Sequence, residues 1–209
     1  MLVHLVAVVF GCFVAAAAPS DRPLRIVALG DSLTAGCGLP ASAAFPARLE
    51  RALQAKGLDV TVANAGVSGN TVSDGLARLD WSVPEGTDAV ILELGANDAL
   101  RGIEPATTRK ALQDILRRLK QRNIPVLLCG MLAPRNLGPT YGRAFDAIYP
   151  ELAASEGVLL YPFFLEGVAT DPKLNLSDGM HPSAAGVDAI VERILPKVQE
   201  LIERARSGS

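Results

Sequence analysis

Apolar residues along this 209-residue chain fall into two patterns. Five short, nearly unbroken runs are Leu24–Leu29, Val60–Ala63, Ala89–Leu94, Pro125–Gly130 and Val158–Tyr161, each bounded by Gly, Pro, Asp or Asn. Apolar runs without polar alternation predict strands buried on both faces. Between them the apolar positions recur at helical spacing. Phe45–Lys56 puts Leu49, Ala52 and Leu53 on one face, and Thr107–Arg122 does the same with Leu112, Ile115, Leu116 and Leu119, with Pro105 suited to a helix start. Ser183–Arg204 carries Val187, Ile190, Val191 and Ile194, and Pro196 is expected to kink or divide that helix.

Strands alternating with helices predict an α/β fold with a mainly parallel sheet covered by helices on both faces. Ligands in such sheets sit at the carboxyl ends of the strands. The chain shows no internal repeat and no low-complexity linker, so residues 19–209 are expected to form a single domain.

Composition narrows the function classes. Apolar residues make up 49% of the chain and charged residues 20%, which suits a globular protein. A formal charge of −2 with scattered Lys and Arg gives no footprint for nucleic acid. Leu2–Ala18 is apolar and ends in Ala15-Ala16-Ala17-Ala18-Pro19-Ser20, so residues 1–18 are expected to be a cleaved signal peptide, sending the protein to the periplasm or outside the cell. The leading residues lack Lys and Arg, so an uncleaved anchor is the competing reading, and Phe10 argues against a lipoprotein signal at Cys12. Of the other cysteines, Cys37 and Cys129 could pair in an oxidising compartment, but two small buried residues is the simpler expectation.

The candidate chemistry lies in four separated segments. Ser32 follows the first apolar run within Gly30-Asp31-Ser32-Leu33-Thr34-Ala35-Gly36. Asp178 stands three residues before His181, and the only other histidine is His4. A serine needs a base within hydrogen-bond reach, and that base needs a group to fix its tautomer; Ser32, His181 and Asp178 supply the three types. Attack on a carbonyl also requires N–H donors where the oxyanion develops. The candidates are the backbone N–H of Ser32, the backbone N–H of Gly69 and the side-chain amide of Asn97. Singly, each has a plainer use: Ser32 as a helix cap, Gly69 in a turn, Asn97-Asp98 in a loop, His181 on the surface. The predicted architecture gathers all four at one sheet edge. No Gly-x-Ser-x-Gly, P-loop or dinucleotide fingerprint occurs, and no His/Cys cluster suggests a metal.

These segments resemble the conserved blocks of the SGNH/GDSL hydrolases, near the thioesterase I, arylesterase and lysophospholipase group. Gly30–Gly36 resembles the first block, Asn64-Ala65-Gly66-Val67-Ser68-Gly69-Asn70-Thr71 the second, Glu93–Gly102 the third and Asp178-Gly179-Met180-His181-Pro182 the last. The resemblance extends from Leu24 to about Leu201. It implies a three-layer α/β/α sandwich with a five-stranded parallel, flavodoxin-like sheet, and no cofactor or metal. It also implies an exported serine esterase or thioesterase acting on aryl esters, acyl-CoA or lysophospholipids. Ser32, Asp178 and His181 would be catalytic, and Ser32, Gly69 and Asn97 would hold the oxyanion. Asp31, Leu132, Pro134, Leu137 and Met180 are the candidates for substrate contact, although Leu132, Leu137 and Met180 suit core packing equally well. Close relatives often carry Asp where this chain has Asn70. The partner expected is a small-molecule or lipid acyl ester, with the protein a monomer. A carbohydrate O-acetylesterase is the alternative within the same chemistry, opposed by a single tryptophan, Trp81, in a segment expected to pack on the sheet. A non-catalytic binding module on the same fold is the alternative outside it.

Overall fold

The computed structural model describes residues 22–208. The expected signal peptide therefore lies outside the described residues. Five parallel strands, β1 (Leu24–Gly30), β2 (Val60–Gly66), β3 (Ala89–Glu93), β4 (Val126–Cys129) and β5 (Leu159–Tyr161), form one sheet in the order β2-β1-β3-β4-β5. The chain passes in chain order through α1 (Ser32–Ala35), α2 (Phe45–Gln54), α3 (Val72–Ala77), α4 (Leu79–Ser82), α5 (Ala96–Leu100), α6 (Pro105–Gln121), α7 (Pro139–Asp146), α8 (Ile148–Glu156) and α9 (Ala184–Ser207). Helices α2 and α9 pack on each other over one face, while α6 packs against α3 and α8 over the other. The result is the expected three-layer α/β/α sandwich.

The sheet forms where its strands can be dry on both sides. Every residue of β3 and β4 is buried, and so are the last five of β1. Edge strand β2 departs from the expectation: Val60 and Val62 are buried, but Thr61, Ala63 and Asn64 are exposed. It also continues three residues beyond the apolar run, because Asn64, Ala65 and Gly66 complete the ladder with Ala28, Leu29 and Gly30. Leu92, Leu116, Leu128 and Ile194 belong to the single core that joins the layers. Truncating one such leucine to alanine typically costs about 2–5 kcal/mol.

Pro196 does not divide the last helix. Helix α9 runs unbroken through it, with Val191 and Ile194 before the proline and Val198 and Leu201 after it all buried. One lost N–H donor is outweighed by an apolar stripe that stays on one face. Leu79 packs inward as expected of its segment, whereas Trp81 projects outward with 84% of its surface exposed. Of the cysteines, Cys129 is buried and both are free, as expected, while Cys37 departs from expectation in being exposed.

Strand order makes the carboxyl edge between β1 and β3 the point where connections diverge to either side, which opens a crevice there. Gly95, at the end of β3, has φ +120°, and a Cβ there would lie 2.0 Å from the Tyr149 hydroxyl. That hydroxyl donates to the Leu94 carbonyl at 2.9 Å. Gly95→Ala is therefore expected to destabilise the protein by about 1–3 kcal/mol, the usual range for overpacking. Adding Tyr149→Phe removes the clashing oxygen, so denaturant titrations should show the double variant losing less than the sum of the two single changes.

Candidate active site

Strand β1 delivers Asp31 and Ser32 into a tight turn at that edge. Asp31 caps α1 by accepting from the Leu33 N–H at 3.0 Å. The turn leans on a buried acid beneath it: Glu93, the last residue of β3, accepts from Thr34 Oγ1 at 2.7 Å and from the Asp31 N–H at 3.4 Å. Gly30 is small of necessity, since a Cβ there would sit 2.0 Å from Thr34 Oγ1 and 2.6 Å from Glu93 Oε2.

His181 arrives from the opposite end of the chain. Its loop is held by an antiparallel bridge between Asn175 and Pro182, by the Leu176 N–H donating to the His181 carbonyl at 2.7 Å, and by the Asn175 amide on the Val168 and Asp171 carbonyls. Ser183 then caps α9. This places His181 Nε2 2.9 Å from Ser32 Oγ and His181 Nδ1 2.7 Å from Asp178 Oδ2. Asp178 Oδ1 accepts from the His181 and Met180 N–H groups at 3.0 and 2.9 Å. Those two backbone donors, then the ring itself, hold the Asp178 carboxyl down at about 2. Asp178 is thus a carboxylate that can only accept, so the proton between it and the ring resides on Nδ1. In the neutral ring Nε2 is then the acceptor for the Ser32 hydroxyl.

Two backbone donors stand open nearby. Neither the Ser32 N–H nor the Gly69 N–H has an acceptor among the described residues. Gly69 adopts φ +82°, and its carbonyl takes a 2.8 Å bond from Arg101 Nη2. The side-chain amide of Asn97 reaches the same neighbourhood, with Nδ2 3.1 Å from Asp31 Oδ2 and 3.0 Å from the Asn70 carbonyl. Both its hydrogens are therefore already engaged.

Asp31 lies deeper than a substrate contact. It is fully buried, and its oxygens face Leu33 and Asn97. Burial pushes its carboxyl up to about 6, opposed by the bonds from Leu33 and Asn97. Leu132 and Met180 are exposed at 41% and 52%, while Pro134 and Leu137 are half-buried in the loop after β4. That loop is pinned where the Ala133 N–H donates to Asp146 Oδ1 at 2.8 Å. Asp98 turns inward, accepting from the Val72 N–H and from Thr108 Oγ1. No group of three or more His, Cys, Asp or Glu side chains among the described residues is arranged to hold a metal ion.

Sequence reasoning passed over two residues. Glu93 was visible only as part of a block, yet an acid inside the run Ala89–Leu94 is itself a signal, because a charge in a doubly buried strand needs a reason. Arg78 carries no such mark, since an arginine between two short helices reads as a surface residue.

A carboxylate, an imidazole and a serine hydroxyl linked in series, beside free N–H donors at a sheet edge, define the class of serine-dependent hydrolases. Residues 28–189 match the GDSL-like Lipase/Acylhydrolase family. The chain is 39% identical to an arylesterase of Vibrio mimicus, covering 94% of this chain and 96% of that one. It is 40% identical to thioesterase 1/protease 1/lysophospholipase L1 of Escherichia coli strain K12, covering 85% and 84%. Among solved structures, AlinE4, an esterase of the SGNH-hydrolase family, is 45% identical with a TM-score of 0.73, covering 88% of this chain and 98% of that one. TesA is 38% identical with a TM-score of 0.80, covering 85% and 99%. The chain belongs to the GDSL/SGNH lipase-acylhydrolase family and is an ester-bond hydrolase.

The acid floor sets a pH dependence. Burial, and then the neighbouring Asp31, push the Glu93 carboxyl well above its usual range. A carboxyl whose pKa is raised on folding binds its proton more tightly in the folded state, so its contribution to stability is lost as pH rises above the unfolded value of about 4.3. Glu93→Gln keeps the shape and removes the titration. Its Tm is expected to fall less than that of the unaltered protein between pH 4.5 and 7, a comparison that differential scanning calorimetry checks.

Proposed function

We propose that the protein hydrolyses acyl esters and thioesters through an acyl-enzyme on Ser32. The observation that carries this reading is the series Asp178–His181–Ser32, with contacts of 2.7 and 2.9 Å. Ser32 Oγ attacks the acyl carbonyl carbon while His181 Nε2 takes the hydroxyl proton. Asp178 holds the Nδ1 proton and balances the charge of the imidazolium. The tetrahedral oxygen is received by the N–H groups of Ser32 and Gly69. Asn97 Nδ2 is the third donor, and because it already serves Asp31 and the Asn70 carbonyl its bond to the oxyanion is a shared one. His181 then protonates the departing alcohol or thiol as the carbonyl re-forms. In the second half, His181 takes a proton from water, the hydroxide adds to the acyl carbon, and Ser32 leaves with that proton while the acid departs.

The arylesterase and thioesterase/lysophospholipase names of the relatives support an apolar acyl group with a varied leaving group. Exposed Leu132 and Met180, with half-buried Pro134 and Leu137, are the residues we assign to the acyl side. Residues 19–209 are taken as one monomeric domain, and the apolar segment Leu2–Ala18 as its export signal.

Ser32→Ala is expected to lower kcat on a p-nitrophenyl ester at least ~10³-fold with the fold intact, and full activity in that variant contradicts the mechanism. A p-nitrophenyl series from acetyl to dodecanoyl should show kcat/KM rising beyond acetyl. A sharp preference for acetyl would favour the carbohydrate O-acetylesterase instead.

A further inference from the structure

The ends of two strands and the turn that presents Gly69 converge on one guanidinium. Arg78 lies between α3 and α4, half-buried. Its Nη2 donates to the Gly30 carbonyl at 2.8 Å, and its Nη1 to the Ala65 carbonyl at 2.9 Å and to Ser82 Oγ at 2.8 Å. Its Nε donates to Asn70 Oδ1 at 2.6 Å. All these acceptors are neutral, and no carboxylate forms an ion pair with Arg78 among the described residues. Burial lowers its pKa, and the charge of the nearby Asp74, which makes no direct ion pair with it, opposes that only in part. A half-buried cation bonded directly only to neutral acceptors is a poor way to obtain stability, because its desolvation opposes the hydrogen bonds it makes. Its use must lie in what it holds.

What it holds is the spacing of the N–H donors. Gly30 is two residues before Ser32. Asn70 directly follows Gly69, and the Asn70 carbonyl is also one acceptor of Asn97 Nδ2. Arg78 thus grips the segments on both sides of the oxyanion, and it meets Asn97 through Asn70. The planar guanidinium fixes those acceptors in a rigid fork that a lysine cannot reproduce. Asn70 is the adjustable member: its neutral oxygen takes the Nε bond where an aspartate would add charge.

We propose that Arg78, acting through Asn70, is a positioning residue that sets the distance between the Ser32 and Gly69 donors for the developing oxyanion. The inference rests on the mechanism above, in which those N–H groups receive the tetrahedral oxygen. Arg78 touches no reacting atom, so its loss is felt in kcat while the substrate still binds.

The test is steady-state kinetics on a p-nitrophenyl ester with Arg78→Ala, with and without methylguanidinium. The expected result is a fall in kcat of roughly 10²-fold, the scale for a misplacement of about 1 Å, with KM within about threefold. Methylguanidinium at millimolar concentration should recover at least about fivefold of the lost kcat by refilling the fork, although such an ion weakens folding in general. Recovery despite lower Tm separates positioning from stability. A kcat within about threefold of the unaltered protein, or a loss carried entirely by KM, would overturn the proposal. If Arg78→Ala does not fold, Asn70→Leu and Asn70→Asp decide. The leucine should lower kcat about tenfold and the aspartate less, because it keeps an oxygen for Nε; equal kcat values contradict the proposal. Failure of the underlying mechanism shows elsewhere, as full activity in Ser32→Ala.

Discussion

The hydrogen bond between Ser32 and His181 joins residues 149 positions apart, and the site depends on it. Neither loop could hold it alone. Ser32 is fixed because β1 lies second in the sheet, gripped by β2 and β3, so the turn after Gly30 has little freedom. His181 is fixed because its loop is bridged to itself and then anchored by α9, which packs on the same face as α2. The all-parallel sheet puts every carboxyl end at one edge, so the free N–H of Gly69 after β2 and the amide of Asn97 after β3 belong to the same crevice.

Below that crevice the chain accepts a cost. Asp31 and Glu93 are both fully buried beside one another, and desolvation raises both carboxyls. Two apolar residues would pack there without that penalty. What the acids contribute is direction: Glu93 holds Thr34 and the Asp31 N–H, and Asp31 holds Asn97 and the first turn of α1. A network of buried donors and acceptors has few alternative arrangements, which keeps the donors in place before substrate arrives.

The central strands and the site loops were legible in the sequence, for different reasons. Strands β1, β3 and β4 are covered on both faces, so their residues form unbroken apolar runs. Edge strand β2 is open to solvent, and Asn64-Ala65-Gly66 reads as a loop although it completes the ladder. Helices α3, α4 and α5 have six, four and five residues, too short for a period to emerge, and are held by caps such as Thr71 and by tertiary contacts. The division expected as one outcome at Pro196 does not occur, because the apolar face on either side of it is strong enough to keep one helix continuous. Ser32, Gly69, Asn97, Asp178 and His181 stood out by residue type and spacing. The substrate role expected of Asp31 did not anticipate its depth, since the same Asp-Ser pair reads alike whether the acid faces solvent or core. Arg78 escaped notice because two of its four acceptors, the Gly30 and Ala65 carbonyls, lie on strand ends that only the fold brings to it.

A crystal structure of the protein after reaction with an organophosphonate tests the central claim most directly, because the adduct copies the tetrahedral intermediate. The account predicts phosphorus bonded to Ser32 Oγ, with one phosphoryl oxygen within about 3 Å of both the Ser32 and Gly69 N–H groups, the separation of a strong hydrogen bond. An adduct on another residue, or a phosphoryl oxygen turned away from both donors, would contradict it.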